Sequence, residues 1–333
     1  MSSPPFSEPH IGATVRPVGR VKARWILRSF LFLFVLLAAT TYGFFRRDLK
    51  SARARALMGS SILQTACGPV EYATRGSGPP VLSIHGTGGG WDQGLFIARG
   101  LVDRGYRVVA PSRYGYLRTP MPEKPSAQAE ADFLTCFLDA LNIGRVSVIA
   151  ASAGATPALQ LALRHPDRVS SLVLLVPAIG GISEPDTIGQ VSPFIMNAVL
   201  GSDFIFWAAM KIWPAAGLTI VAVPESLVPT LAAPDRNNLD QAIGSLLPVT
   251  RRRKGILYDA RNQMTERPYA LERITVPTLL VSAEDDLYET LPNARAAAGS
   301  IPNARLMAFK TGGHLLLGND AEIWPAVADF MRR

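Results

Sequence analysis

A run of small residues directly after a short apolar segment is the feature that most restricts how this chain can fold. Residues 148–155 read Val-Ile-Ala-Ala-Ser-Ala-Gly-Ala, with β-branched residues typical of a strand at the start and helix-forming residues at the end. A serine at a sharp strand-to-helix turn stands clear of the backbone, and only Ala or Gly fits two positions to either side of it. Ala150 and Gly154 occupy those positions. The pattern therefore predicts a nucleophile elbow with Ser152 at its tip.

A serine nucleophile needs a general base, which is usually an imidazole oriented by a carboxylate. The chain has four histidines. His10 lies in the N-terminal tail, His85 ends a buried-type strand, and His165 closes the helix that follows the elbow. His314 lies in a glycine-containing loop before the last predicted helix. Elimination points to His314 as the base, although any single histidine can also be a structural residue.

The order of these groups resembles the α/β-hydrolase superfamily, whose members place nucleophile, acid and histidine in that order along the chain. The resemblance covers about residues 64–333. It implies that the acid closes the turn after the strand that returns from an inserted cap. The segment 278–286 ends in such a turn, although Ala283 stands where the family has glycine. We interpret Asp286 as the acid; one of the two acids before it, or a merely solvated acidic turn, is the alternative.

A glycine-rich loop supplies the remaining part of such a site. Residues 81–94 read as a buried strand followed by His-Gly-Thr-Gly-Gly-Gly, similar to the His-Gly loop that the superfamily places beside the elbow. The resemblance implies that the backbone amides of Thr87 and Ala153 form the oxyanion hole. A phosphate-binding loop is the competing interpretation. It is disfavoured because no Gly-Lys-Ser/Thr ending and no acidic partner at dinucleotide spacing follow.

Strand-like and helix-like segments alternate along most of the chain, which predicts an α/β fold with a mostly parallel, doubly wound sheet. One short segment, Ser112–Tyr116, loosely resembles the Asp-x-Arg-Gly-x-Gly-x-Ser loop of the superfamily. The predicted organisation is a basic N-terminal tail (1–28), a transmembrane helix (29–45), a linker helix (46–63), an α/β-hydrolase core (64–178 and 274–333) and a helical cap inserted between strands 6 and 7 (179–273).

The predicted cap is rich in aromatic residues, among them Phe204, Trp207 and Trp213. A lid of this composition favours an acyl or aromatic substrate over a sugar, unless the aromatics only form the core of the cap. The basic run 251–254 is interpreted as a solvated face, with lipid headgroups or a substrate carboxylate as alternative contacts.

The positive charge of the chain is confined to its N-terminal part. The formal net charge is +8, and residues 1–60 hold ten Lys and Arg against Glu8 and Asp48, which leaves 24 charges of each sign in the other 273 residues. A basic excess that flanks one hydrophobic stretch indicates contact with a membrane surface and argues against nucleic acid as a partner.

That stretch, 29–45, has seventeen residues without a charge, just enough to span a bilayer. A cleaved signal peptide and a buried core helix are the alternatives. Five basic residues lie on each flank, so the positive-inside rule gives no orientation. Because the short basic leader resembles a signal anchor, the catalytic domain is predicted on the extracytoplasmic side. Cys67 and Cys136 are either one disulfide or two thiols.

These features together predict a membrane-anchored serine hydrolase that cleaves a carboxylic ester, with Ser152, Asp286 and His314 as the triad. The same triad also serves carbon-carbon bond hydrolases and cofactor-free peroxidases, and the fold also occurs as a non-catalytic ligand-binding module. A dehalogenase or epoxide hydrolase would need Asp in place of Ser152. Few histidines and two distant cysteines argue against a metal site, and no cofactor is predicted.

Overall fold

An eight-stranded, mostly parallel sheet carries the predicted elbow, as the alternation of strands and helices indicated. The computed structural model describes residues 18–179, 192–265 and 269–333. The sheet has the order β1-β2-β4-β3-β5-β6-β7-β8, in which β2 pairs antiparallel with β1 and β4 and all other pairs are parallel. The strands are β1 Ser61–Thr65, β2 Gly68–Arg75, β3 Pro80–Ile84, β4 Arg107–Pro111, β5 Val146–Ala151, β6 Val169–Leu175, β7 Thr278–Ala283 and β8 Ala304–Phe309.

Helices cover both faces of this sheet. The helices of the described residues, among them those that cover the sheet, are α1 Val18–Leu57, α2 Trp91–Ile97, α3 Arg99–Val102, α4 Ala127–Ala140, α5 Ala155–Arg164, α6 Pro193–Gly201, α7 Asp203–Ile212, α8 Pro214–Ile220, α9 Ala233–Ser245, α10 Arg253–Thr265, α11 Thr290–Ser300 and α12 Asp320–Arg332.

The central strand β5 shows why the sequence folds in this way. All six of its residues are buried. Val148 and Ala150 pack into the core that includes α4, α5 and α11, whereas Ile149 and Ala151 pack into the core that includes α2, α3 and α12. A strand buried on both faces needs a continuous apolar run, and burying a side chain such as Ile149 contributes about 1.5–3 kcal/mol.

The cap follows β6 and precedes β7, which confirms the predicted place of the insertion. These two strands are parallel neighbours in the sheet, so the chain must cross over between them. The described part of this crossover is helical and contains α6 to α10. The predicted cap also includes residues 180–191 and 266–268, which lie outside the described residues.

The N-terminal helix differs in length from the prediction. The predicted span 29–45 lies inside α1, whose part from Trp25 to Leu57 is long and apolar enough to cross a membrane. The prediction of a linker helix up to residue 63 is wrong. Gly59, with φ of +94°, ends the helix, and Ser61 starts β1, whose backbone pairs with β2. Pairing within the sheet outweighs the helical propensity of this short segment.

The chain divides into two compact units, the first ending at Asp48 and the second running from Leu49 to Arg333. The end of α1 therefore belongs to the second unit, in which Leu49, Ala52 and Ala56 are buried. Cys67 and Cys136 form a disulfide, so that question left open by the sequence is answered in favour of pairing. The bond joins the β1–β2 turn to α4.

Candidate active site

Ser152 stands at the predicted sharp turn between β5 and α5. Its φ is +50°, in the left-handed region that non-glycine residues rarely adopt. The turn lies so close to the end of β3 that a Cβ on Gly154 would come within 2.6 Å of the His85 and Ile84 carbonyl oxygens. The carbonyl of Ser152 accepts a hydrogen bond from the Ala178 amide at 3.1 Å. The strained conformation is thus held from both sides.

His314 is paired with the predicted acid. Its Nδ1 lies 2.8 Å from Asp286 Oδ2, and both side chains are largely buried. The Thr290 hydroxyl and the Tyr288 amide also donate to the Asp286 carboxylate. Although burial raises the pKa of Asp286, the charge of His314 and these hydrogen bonds together lower it below its usual value. The carboxylate therefore stays ionised beside the imidazole.

The neighbouring acid has a different position. Asp285 accepts the Gly312 amide at 3.2 Å and the Gly313 amide at 2.8 Å, so it shapes the loop that carries His314. Glu284 is exposed. Of the three acids in this turn, Asp286 is the one that the structure brings to the histidine.

The glycine-rich loop lies against the elbow. A Cβ on Gly86 would come within 3.0 Å of the Ser152 Cβ, which places the start of the loop directly beside the serine. The Gly86 amide donates to Gln93 Oε1 at 2.8 Å, and Ala153 is the first residue after the serine in the turn into α5. The serine, acid, histidine and loop follow β5, β7, β8 and β3, so all four lie at the carboxyl ends of parallel strands, where ligands bind in open α/β sheets.

Comparison with known proteins agrees with this arrangement. A family model described as alpha/beta hydrolase fold matches residues 79–321. The chain belongs to this family. A solved alpha/beta hydrolase fold protein from Nakamurella multipartita superposes with a TM-score of 0.66 at 25% sequence identity, over 82% of this chain and 99% of that one.

Two curated proteins show how far similarity in sequence extends. 2-Hydroxymuconate semialdehyde hydrolase from Pseudomonas sp. (strain CF600) is 28% identical over 268 residues, which are 77% of this chain and 88% of that protein. Uncharacterized hydrolase YcgS from Bacillus subtilis (strain 168) is 36% identical, but the match spans only 32% of this chain and 37% of that protein. The family thus identifies this α/β hydrolase as a hydrolase of small molecules.

A buried charge cluster lies beneath the glycine-rich loop of this α/β hydrolase. The Arg113 guanidinium forms two hydrogen bonds to Glu130 at 3.0 and 3.1 Å and two to Asp259 at 2.8 and 3.1 Å. Asp259 also accepts hydrogen bonds from the Tyr116 hydroxyl and, at 3.2 Å, from the Thr87 hydroxyl. We call these residues the Arg113 cluster. All except Thr87 are at most 2% exposed, so the cluster fixes the loop from inside the protein.

Burial and mutual charge set the protonation of this cluster. Although burial lowers the pKa of Arg113, the two carboxylates hold it well above its usual value. Burial, followed by the charge of Asp259, raises the pKa of Tyr116 well above its usual value, so the phenol remains a hydrogen-bond donor. Burial also raises the pKa of Glu130. Removing one member of a buried ion pair leaves the other charge without a partner, which lowers the stability of the fold. We therefore expect the residues of the Arg113 cluster to depend on one another.

His85 is a structural residue in this arrangement. Its Nε2 accepts the Arg113 amide at 2.9 Å, which requires the proton to reside on Nδ1, 2.8 Å from the Gly86 carbonyl. Burial, followed by the positive charge of Arg113, lowers the pKa of His85 well below its usual value. The imidazole is therefore neutral and fixes the backbone at the start of the loop.

The cap holds the loops on both sides of Ser152. Asp259 belongs to α10, and Arg252 donates to the Gly89 carbonyl and to Asp92 Oδ2. On the other side, the His314 amide donates to the Ala222 carbonyl at 3.1 Å. Arg252 is fully buried, so the interpretation of 251–254 as a solvated face is wrong at this position. Its pairing with Asp92 and a backbone carbonyl compensates for the burial of its charge.

Sequence reasoning missed the cap residues of this arrangement. Arg113 lies in the segment whose loose resemblance to a family loop was visible, but nothing local marks Asp259 as its partner or Arg252 as the partner of Asp92. Phe206 is buried in the cap core, whereas Trp213 is exposed, so neither aromatic decides the substrate. Within the described ranges, no group of His, Cys, Asp and Glu is arranged to hold a metal ion.

Proposed function

We propose that this chain is a serine hydrolase that cleaves a carboxylic ester by way of an acyl-enzyme. The observation that supports this best is the Asp286–His314 pair at 2.8 Å, carried by the same end of the sheet as the strained Ser152 turn. A carboxylate paired in this way holds an imidazole in the tautomer that can accept a proton from serine.

In the proposed reaction, His314 Nε2 takes the Ser152 proton while Oγ attacks the carbonyl carbon of the ester. The Thr87 and Ala153 amides donate hydrogen bonds to the oxygen that becomes negative. When the tetrahedral intermediate collapses, the ester carbon-oxygen bond breaks and the alcohol leaves with the proton from His314. Water then attacks the acyl-enzyme with His314 as base, the bond between Ser152 Oγ and the acyl carbon breaks, His314 returns the proton to Oγ, and the carboxylic acid is released. Asp286 stays ionised throughout and stabilises the imidazolium.

Cleavage of a carbon-carbon bond is the second candidate. It is favoured by the 28% identity to 2-hydroxymuconate semialdehyde hydrolase. An anionic substrate of this kind needs a cation for its carboxylate. The two fully buried arginines nearest to the glycine-rich loop, Arg113 and Arg252, are each already paired with carboxylates. Ester hydrolysis is therefore the preferred proposal.

A panel of p-nitrophenyl esters of increasing acyl length, with Ser152→Ala as the control, tests the reaction. We expect the wild type to hydrolyse at least one ester and the variant to hydrolyse none. A 2-hydroxymuconate semialdehyde, followed by its absorbance, tests the second candidate in parallel. Turnover of that compound with all esters untouched would replace the first candidate by the second.

We also propose that α1 anchors the protein in a bilayer with the catalytic unit outside the cytoplasm. The length and apolar character of Trp25–Leu57 support the anchor, and the Cys67–Cys136 disulfide supports the side, because disulfides persist in oxidising compartments. The full-length protein should stay in the membrane fraction through high-salt and alkaline washes. A protease that cannot cross the membrane should digest the catalytic unit in cells whose outer barrier is open; protection until lysis would reverse the side.

A further inference from the structure

The cap carries large apolar side chains on its outer surface. They lie on α6, on α7 and at the residue that precedes α8, and these three consecutive helices contact one another in sequence. We call this set the cap apolar face. Its members, with their exposed fractions, are Phe194 (81%), Ile195 (52%), Phe204 (40%), Ile205 (42%), Ile212 (84%) and Trp213 (59%). Exposed apolar residues are ordinary when they are scattered, but a group of this kind marks an interaction surface.

Helix α7 is apolar on both of its sides. Phe206 and Trp207 are buried in the cap, as expected for the inner side of a surface helix. Phe204, Ala208 and Ile212 follow one another at intervals of four residues, so they share the other side. A helix of a water-soluble domain normally has charged or polar residues there, and a helix that is apolar all round is surrounded by protein or lipid.

Basic side chains lie beside the cap apolar face, and its helices carry one acid. Between residues 192 and 220, Asp203 is the only acid; it is buried and accepts a hydrogen bond from Thr250, and Arg53 lies 3.4 Å from it. Lys211 is exposed on α7, and Arg253 donates to Asn197 of α6. An apolar surface with a basic border is typical of helices that lie in the interface of a bilayer with anionic headgroups.

The position of this surface along the chain also favours a lipid partner. Arg53 contacts Asp203, which is the first residue of α7. Arg53 lies only eight residues after Phe45, the last residue of the predicted span. Eight residues reach at most about 28 Å even when fully extended. The short connection between a bilayer-spanning anchor and Arg53 therefore limits how far the start of α7 can lie from the membrane surface.

We propose that the cap apolar face inserts into the headgroup and upper acyl region of the bilayer, so that the cap is a second membrane contact besides the anchor. On the proposed ester hydrolysis, which this step presupposes, a lipid-dissolved ester then reaches the cap from the bilayer. The anchor alone would tether the protein to the bilayer, whereas the cap apolar face would also fix the orientation of the cap on the bilayer surface.

Insertion is measured on the full-length protein in vesicles of phosphatidylcholine and phosphatidylglycerol. Single cysteines at Ile212→Cys and Phe194→Cys receive an environment-sensitive nitrobenzoxadiazole label under non-reducing conditions, which keep Cys67 and Cys136 paired. The matched control is Ala296→Cys, an exposed position on α11. Lipid-borne doxyl groups should quench the labels at 212 and 194, and aqueous iodide the label at 296.

Two results would overturn the proposal. One is equal iodide quenching at all three positions, which would put the face in water. The other is protection from both quenchers that grows with the protein-to-lipid ratio, which would make a second copy of the chain the occupant.

A kinetic arm separates this proposal from the reaction. The double variant Ile212→Ser/Trp213→Ser should raise KM for a long-chain ester dissolved in vesicles about tenfold, because apolar area buried in lipid is lost. Its kcat on a water-soluble short-chain ester should be unchanged, and Ile62→Ser, another exposed apolar position, should change neither. Lipid quenching without any esterase activity would refute only the reaction. Esterase activity with labels in water and an unchanged KM would refute only the docking.

Discussion

The two sides of the candidate active site are built in different ways. On one side, Asp286 and His314 lie on loops after neighbouring strands, and nearby backbone amides and hydroxyls hold them. On the other side, the glycine-rich loop rests on the Arg113 cluster, in which side chains far apart in sequence meet in the protein interior. The first side positions groups that would exchange protons. The second positions backbone amides, which do not titrate.

The two sides of the site should therefore respond differently to substitution. A substitution of Asp286 or His314 should abolish turnover and leave the fold intact, because local contacts hold these two residues. A loss on the loop side should lower both turnover and stability, because the same carboxylate that holds Thr87 also balances a fully buried arginine.

The largest effect is expected at the proposed nucleophile and the proposed base. Ser152→Ala and His314→Ala should each remove nearly all turnover, and the double variant should be little worse than either, because triad members act as a unit. Steady-state kinetics on a short-chain ester measures this, and circular dichroism checks the fold. Independent, additive losses would show that the two residues do not form one catalytic unit.

The next effect concerns the acid. Asp286→Asn should lower kcat by about 10⁴-fold, since an amide favours the wrong tautomer of the imidazole. The matched control is Asp285→Asn, whose carboxylate accepts only loop amides and whose loss should cost much less. If Asp285→Asn lowered kcat more than Asp286→Asn did, Asp285 would have to be assigned as the acid instead.

The loop side should respond more mildly in rate and more strongly in stability. Thr87→Val removes the hydroxyl that binds Asp259 but keeps the amide, so kcat should fall by less than the roughly 10²–10³-fold expected when an oxyanion donor is lost. KM should stay the same. Asp259→Asn should in addition destabilise the fold by about 3–5 kcal/mol, because it leaves buried Arg113 with one carboxylate fewer.

The control for that destabilisation is Asp132→Asn, which weakens the surface contacts of this carboxylate with Arg164 and His165 and should cost about 0–1 kcal/mol. Denaturant unfolding compares the two. Equal costs would mean that the Arg113 cluster contributes no more than a surface pair.

The smallest effect is one of pH at His85. Its pKa is lowered, so the folded protein keeps this imidazole neutral where the unfolded chain already binds a proton. The free energy of unfolding should therefore fall as the pH drops below the ordinary value of 6.5, with at most about 1.4 kcal/mol per pH unit from this one group. Nitrogen NMR of the four histidines, with His85→Gln for assignment, should show no titration of His85 near pH 6.5. Titration of His85 near pH 6.5 would contradict the assignment of this imidazole as neutral.

The difference between the two sides also explains what the sequence could predict. Ser152 is recognisable because the steric demands of its turn fall on Ala150 and Gly154, two positions away on either side. The mostly parallel sheet follows from apolar runs such as β5. Asp259 is 146 residues from Arg113, and no local pattern connects them. The end of α1 at Leu57 was missed because pairing of β1 with β2 is a tertiary effect.

The proposed reaction depends on Ser152 being a nucleophile that His314 activates. Labelling with a fluorophosphonate, followed by peptide mapping with mass spectrometry, tests it most directly. We expect one adduct, on Ser152, with a rate of labelling that falls sharply in His314→Ala and much less in Asp285→Asn. An adduct on another serine, or full esterase activity of the Ser152→Ala variant, would contradict the role of Ser152 as the nucleophile.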